Sequence, residues 1–138
     1  PKVLFVCTHN SARSQMAEGL MRHISDGQIP VWSAGSHPTR IHSDAIHTMD
    51  GMGIDIRGQR VTHLSEIENH PFDIVITVCD WAREICPTLP GKGRQIHWGF
   101  PDPADIDDPN ARQKAFTDTA QRLSSRIRHL LHTLTLMD

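Results

Sequence analysis

The chain has no tyrosine, and aromatics make up only 5% of its residues, so it lacks the stacking platforms on which single-stranded nucleic acids are held. Basic residues form no run or stripe: 14 Lys and Arg stand against 16 Asp and Glu, for a net charge of −2 with His neutral. Neither nucleic acid nor an anionic membrane surface is therefore expected as a partner, and any anion site must be local. No apolar stretch approaches the ~20 residues needed to cross a bilayer. The N-terminal segment reads as a core strand rather than a signal sequence, and a cytosolic protein is expected. Cysteine is scarce, with Cys7, Cys79 and Cys86 forming no Cys-x2-Cys pair, and the ten His residues are scattered. A tetrahedral zinc site has no ligand pattern to rest on. An odd number of thiols in a reducing compartment points to reactive or redox chemistry more than to a static framework.

At 138 residues the chain suits one domain, residues 1–138, large enough to bury a core unaided. Period-two and period-3.6 patterns alternate along it, the mark of βαβ architecture. Strands are expected at Val3 to Val6, Val31 to Ala34, Asp73 to Val78 and, more weakly, Arg94 to Trp98. The third is continuously apolar and suits a central parallel position. Ser14 reads as the cap of a helix with Met16, Leu20 and Ile24 on one face and a stop at Asp26-Gly27. Ser43 opens a second helix, Thr62 to Glu68 a short helical turn, and Pro109 a long amphipathic helix through Phe116, Leu123, Ile127 and Leu134. The fold class is α/β, a single-domain open four-stranded parallel sheet with helices on both faces, and its ligands bind at strand C-terminal ends. Cys7 and Cys79 both lie just past such ends.

The chemistry begins where Val3-Leu4-Phe5-Val6 delivers Cys7 into Thr8-His9-Asn10-Ser11-Ala12-Arg13-Ser14, followed by a helix. A loop closing into a helix N-terminus gathers unpaired N–H groups at the positive end of the dipole, an oxyanion cradle with a thiol at its rim. The same field, with the Ser14 hydroxyl as donor, favours the thiolate form of Cys7. Arg13 supplies a planar, permanent charge that grips two oxygens of a tetrahedral anion. The plainer reading, a buried inert thiol at a strand end, does not account for strand, Cys-x5-Arg-Ser and helix in this order.

Cys79 and Cys86 are seven positions apart. In a helix their Cα atoms would be separated by roughly 10 Å, whereas a disulfide needs about 4.4 to 6.8 Å; a bond between them would require the helix to unwind, so oxidation would move the backbone. Taken singly, each also fits an ordinary structural residue. Asp102 lies between Pro101 and Pro103 just past a strand end, held in a restricted loop as a candidate proton donor, although Asp and Pro are also common turn formers.

Cys7-x5-Arg13-Ser14, the helix start Gln15-Met16-Ala17-Glu18-Gly19, Ser33-Ala34-Gly35, the Cys79/Cys86 pair and His97-Trp98-Gly99-Phe100-x-Asp102-Pro103-Ala104 together make the chain resemble thioredoxin-coupled arsenate reductases over nearly its whole length. That family shares the fold of low-molecular-weight protein tyrosine phosphatases. The resemblance implies that arsenate, with phosphate or sulfate as competing anions, binds in the cradle from Thr8 to Ser14. It further implies that Cys7 attacks arsenic while Asp102 protonates the leaving hydroxide, that Cys79 then attacks Cys7, and that Cys86 takes over the disulfide for reduction by thioredoxin. No tightly bound cofactor is implied; whether a monovalent cation sits beside the loop near Asn10, Glu18 and Ser33 stays open. Where many relatives have Gly and another Cys, this loop has His9 and Ala12. It therefore has no glycine for a positive φ, and Asn10 is expected to adopt that conformation.

The alternative enzyme is a low-molecular-weight protein tyrosine phosphatase, hydrolysing phosphomonoesters through a phosphocysteine. Such phosphatases typically show Asp-Pro-Tyr where this chain has Asp102-Pro103-Ala104, and they need no thiol at Cys86. A phosphocysteine carrier, the non-enzymatic reading, would use Cys7 without Asp102 or the two later thiols.

Overall fold

A computed structural model describes residues 1–87, 89 and 93–137. Four strands, β1 (Val3–Cys7), β2 (Val31–Gly35), β3 (Ile74–Thr77) and β4 (Arg94–His97), make a parallel sheet in the order β2-β1-β3-β4. The paired central strands β1 and β3 are buried along their whole length, whereas β4 begins exposed at Arg94 and Gln95, as an edge strand does. Among the described residues three α-helices accompany the sheet, α1 (Arg13–Ile24), α2 (Ser43–Gly51) and α3 (Pro109–Met137).

Side chains alternate across the sheet with the period of two that strands impose. Val3, Phe5, Ile74 and Ile76 share one apolar cluster with Met16 and Leu20 of α1, Met49 of α2, and Phe116, Leu123 and Ile127 of α3. Leu4, Val6 and Val75 point the other way and meet Ile67 and Phe72, flanked by Leu64 of a 3₁₀ turn, Leu64–Glu66. Among the described residues the helical cover is therefore unequal: three α-helices on the Phe5 face, a single 3₁₀ turn on the Leu4 face. The stretch leading into β3 is interrupted by Gly58 and Pro71, which leaves room for a turn rather than a long helix.

The start of α1 differs from the expectation, whereas α2 opens at Ser43 as expected. α1 begins one residue before Ser14, behind Ala12, whose side chain makes no capping bond. The Ser14 hydroxyl is committed instead to Cys7 and Asn10. For α2, the cap is the His42 ring, which accepts the Asp44 N–H at 3.0 Å. The end of α1 is as expected, with Asp26 and Gly27 both at positive φ (53° and 73°).

Because the strands are parallel, their C-terminal ends lie along one edge of the sheet. Cys7 ends β1, Cys79 follows β3 by two residues, and the Phe100–Asp102 segment follows β4. The connection from β1 leads outward to β2 and that from β3 outward to β4, so a crevice opens between the two central strands.

Phe116, on the inner face of α3, is fully buried, its ring centroid 5.0 Å from that of His42. Phe116→Ala should lower the unfolding free energy by about 3–5 kcal/mol in urea denaturation; a loss below about 1 kcal/mol would show that α3 is not anchored there.

Candidate active site

Between Cys7 and α1 the chain is held by its carbonyl side. The carbonyls of Thr8, His9 and Ser11 accept the N–H groups of His37, Thr39 and His42 at 2.8, 3.1 and 3.0 Å. Among the described residues, the backbone N–H groups from His9 to Ser14 have no acceptor, leaving the donor set that a tetrahedral oxyanion requires. Beside them is a cavity of about 120 Å³ whose walls include Cys7, His9, Ser11, Ala12, Arg13 and Asp102.

The loop keeps this shape through Asn10, which is fully buried at φ 50°. Its side-chain amide donates to Ser14 Oγ at 2.8 Å and to Ser33 Oγ at 2.9 Å, while its Oδ1 accepts the Thr62 N–H at 2.9 Å. Gly35, paired in register with Cys7, is equally constrained. A Cβ there would stand 2.6 Å from the Thr8 carbonyl oxygen and 2.9 Å from the Asn10 nitrogen, so only glycine lets β2 approach the loop this closely. Ser14 Oγ lies 2.8 Å from Cys7 Sγ. Behind the loop, Ser33 Oγ donates to Glu18 Oε1 at 2.7 Å and Arg22 donates to Glu18 Oε2 at 2.7 Å, so the carboxylate of Glu18 is already paired with a guanidinium.

Arg13 is only 2% exposed. Its NH1 donates to Glu84 Oε1 at 2.5 Å and to the Phe100 carbonyl at 2.9 Å, its NH2 donates to Glu84 Oε2 at 3.1 Å, and Asp102 Oδ2 stands 3.6 Å from NH2. Burial works against the guanidinium charge, but the Glu84 hydrogen bond, with the charges of Asp102, Cys7 and Glu84, outweighs it and raises the Arg13 pKa above its ordinary value. Burial likewise pushes the Glu84 carboxyl up. The Arg13 hydrogen bond, the Asp80 N–H and the Arg13 charge reverse that and hold it below the usual carboxylate range. Asp102 caps a 3₁₀ turn, Pro103–Asp105, with its Oδ1 accepting the Ala104 N–H at 3.0 Å.

Cys79 and Cys86 are joined by a disulfide with a Cα–Cα separation of 5.9 Å, and Cys7 is a free, buried thiol. The intervening segment is a turn, not a helix: Arg83 and Glu84 both donate their N–H groups to the Asp80 carbonyl. The roughly 10 Å spacing expected of a helix is thus replaced by bonding distance. Cys79 is fully buried and Cys86 half-buried. Trp81 and Ile85 are exposed, with Trp81 stacked on His97 at a centroid distance of 3.7 Å.

Of the residues singled out from sequence, Cys7, His9, Ser11, Ala12, Arg13 and Asp102 line one cavity. Asn10 and Ser14 lie behind it as buried supports, and Thr8 Oγ1 is buried without a partner among the described residues. Glu84, in direct contact with Arg13, carries no signal in the sequence. Nothing in the spacing of Cys79 and Cys86 marks a carboxylate between them as facing inward, because its direction depends on how the segment closes.

Asn10→Gly keeps access to positive φ but removes the side-chain bonds, and should cost about 1–3 kcal/mol in chemical denaturation. Asn10→Ala should cost a further ~1–2 kcal/mol; equal losses would show that the backbone conformation is not a strain on the loop.

The family model for low molecular weight phosphotyrosine protein phosphatase matches residues 2–137. An arsenate reductase of Halalkalibacterium halodurans is 33% identical over 132 residues, covering 95% of each chain. A solved arsenate reductase in the oxidized state superimposes with a TM-score of 0.81 at 30% identity, covering 96% of this chain and 97% of the other. The thioredoxin-dependent arsenate reductase of Corynebacterium glutamicum gives a TM-score of 0.76 at 28% identity, matching all of this chain and 63% of the other. A thiol on an oxyanion loop at a parallel-sheet edge, with a second and third thiol bonded nearby, is thus found in a chain that belongs to the low molecular weight phosphotyrosine protein phosphatase family and, within it, to the arsenate reductases.

Proposed function

We propose that the protein reduces arsenate to arsenite through Cys7, Cys79 and Cys86, with thioredoxin as the external reductant. The observation that carries this reading is the coexistence of a Cys79–Cys86 disulfide with a free Cys7 thiol, which is the state expected at the end of such a relay. Arsenate enters the cavity and is held by the loop amides and Arg13. The Cys7 thiolate attacks arsenic, and Asp102 protonates the departing hydroxide, leaving a bond between sulfur and arsenic(V). Cys79, as thiolate, attacks Cys7 Sγ. The electron pair of the sulfur–arsenic bond goes to arsenic, which leaves as arsenite, and a Cys7–Cys79 disulfide remains. Cys86 then attacks Cys79 Sγ and expels the Cys7 thiolate, giving the bonded pair seen here. A thioredoxin dithiol reduces that pair, becoming oxidised itself.

Phosphate and sulfate have the same tetrahedral shape and would compete for the loop. A phosphomonoesterase would share the first attack but has no use for the later thiols. No helix among the described residues is long and apolar enough to cross a membrane, and we place the reaction in the cytosol, where thioredoxin keeps thiols reduced.

Arsenate-dependent NADPH oxidation, coupled through thioredoxin and thioredoxin reductase, tests substrate and electron source together. Cys7→Ser should abolish it, because a serine hydroxyl has no comparable anionic form at neutral pH. Cys86→Ser should release one equivalent of arsenite and then stall, whereas steady turnover with thioredoxin alone would remove Cys86 from the relay. Asp102→Asn should slow single-turnover arsenite formation by about 10²- to 10⁴-fold, while an unchanged rate would leave Asp102 a turn residue. Unimpaired phosphomonoester hydrolysis in the absence of arsenate reduction would favour the phosphatase reading.

A further inference from the structure

In the oxidised protein the guanidinium that should receive the substrate already holds an anion of the protein's own. Glu84 places both carboxylate oxygens on Arg13, at 2.5 Å from NH1 and 3.1 Å from NH2, and Asp102 stands 3.6 Å from NH2. The Glu84 side chain is itself 19% exposed, against 2% for Arg13, so the ion pair runs from the buried guanidinium toward solvent. Two features of the disulfide-bonded segment aim Glu84 inward. The Asp80 N–H donates to Glu84 Oε1 at 2.8 Å, and the Asp80 carbonyl takes the Glu84 N–H at 3.0 Å. The Cys79–Cys86 bond fixes the two ends of the segment at a Cα–Cα distance of 5.9 Å, with Glu84 only two residues before Cys86.

We propose that Glu84 is a redox-controlled occupant of Arg13: bonding of Cys79 to Cys86 docks its carboxylate on the guanidinium and lowers the affinity of the loop for oxyanions, and reduction releases it. The inference rests on the reading of this loop as the oxyanion site. An incoming dianion would meet one guanidinium already balanced by Glu84, with Asp102 adding a second negative charge, and juxtaposed like charges in a water-poor site are strongly unfavourable. A dithiol reductant breaks the Cys79–Cys86 bond to give two thiols and is itself oxidised. That removes the tie holding Glu84, and Arg13 becomes available. The oxidised protein thus binds new anions more weakly until its electrons are restored.

Titration calorimetry with inorganic phosphate on the full chain, prepared with the Cys79–Cys86 pair either bonded or reduced, tests this. The wild-type oxidised form should bind phosphate at least about fivefold more weakly than the reduced form, within the usual range of coupling between sites. Glu84→Gln should remove most of that difference by tightening the oxidised form, with the reduced form changed less than about twofold. Glu84→Asp, too short to span to Arg13 from the same backbone, should behave like Glu84→Gln. Linkage supplies a readout that mere structural support would not move: saturating phosphate should make the wild-type disulfide easier to reduce, a tenfold affinity ratio corresponding to about 30 mV, and should shift the Glu84→Gln pair far less. Equal phosphate affinity of the two wild-type forms, or an oxidised Glu84→Gln form that binds no tighter than wild type, would overturn the proposal. Failure of reduced wild type to bind phosphate would overturn the oxyanion site itself, and the inference with it.

Discussion

The site depends on a backbone turn that its own sequence makes difficult. The loop between Cys7 and Arg13 must reverse its amides toward one point, and it has no glycine with which to do so. Asn10 adopts the positive φ instead, and its side chain ties the turn to Ser14, Ser33 and Thr62. Those three partners come from α1, from β2 and from the strap that precedes β3. The anion loop is therefore not a free-standing motif but a junction, and its geometry is secured by the packing of the sheet edge. Gly35 makes the same point from the other side, since the close approach of β2 is what lets Ser33 reach Asn10.

Much of this architecture is legible in the residues. Strands of alternating or continuous apolar character, a helix opened next to Arg13, and Asn10 as the substitute for glycine are all local consequences of steric preference and burial. What the sequence conceals is non-local. Ser14 has the composition of a helix cap, yet its hydroxyl is recruited by the Cys7 sulfur and the Asn10 amide, an arrangement visible only once the loop has closed. The unequal division of helices between the two faces follows from α2 packing against α1 and α3, which no single stretch of sequence specifies. Glu84 is the sharpest case. Its partner Arg13 is 71 positions away, and the turn that brings the two together is the one closed by the Cys79–Cys86 bond.

The three thiols differ in setting as their proposed roles require. Cys7 faces the cavity, Cys79 is sealed in the core beside β3, and Cys86 lies at the end of a turn that reaches the surface. In the proposed relay, electrons that enter from outside would therefore not need to travel through a rigid interior; a short length of chain would carry them by changing its own shape. A regular helix over residues 79 to 86 would prevent that bond, so the segment's lack of one in this state is part of the chemistry.

Trp81 rides on that same segment, largely exposed, with its indole laid flat against the His97 ring at an interplanar angle of 9°. Burial lowers the His97 pKa, favouring a neutral imidazole, and Thr77 fixes the ring through Nδ1 at 2.7 Å, so one half of the stack belongs to the sheet and the other to the disulfide-closed turn. The molecule consequently contains an intrinsic optical probe: with Trp32 and Trp98 replaced by phenylalanine, the emission of the remaining indole would report whether the electron-accepting segment is docked or released, without any label being attached.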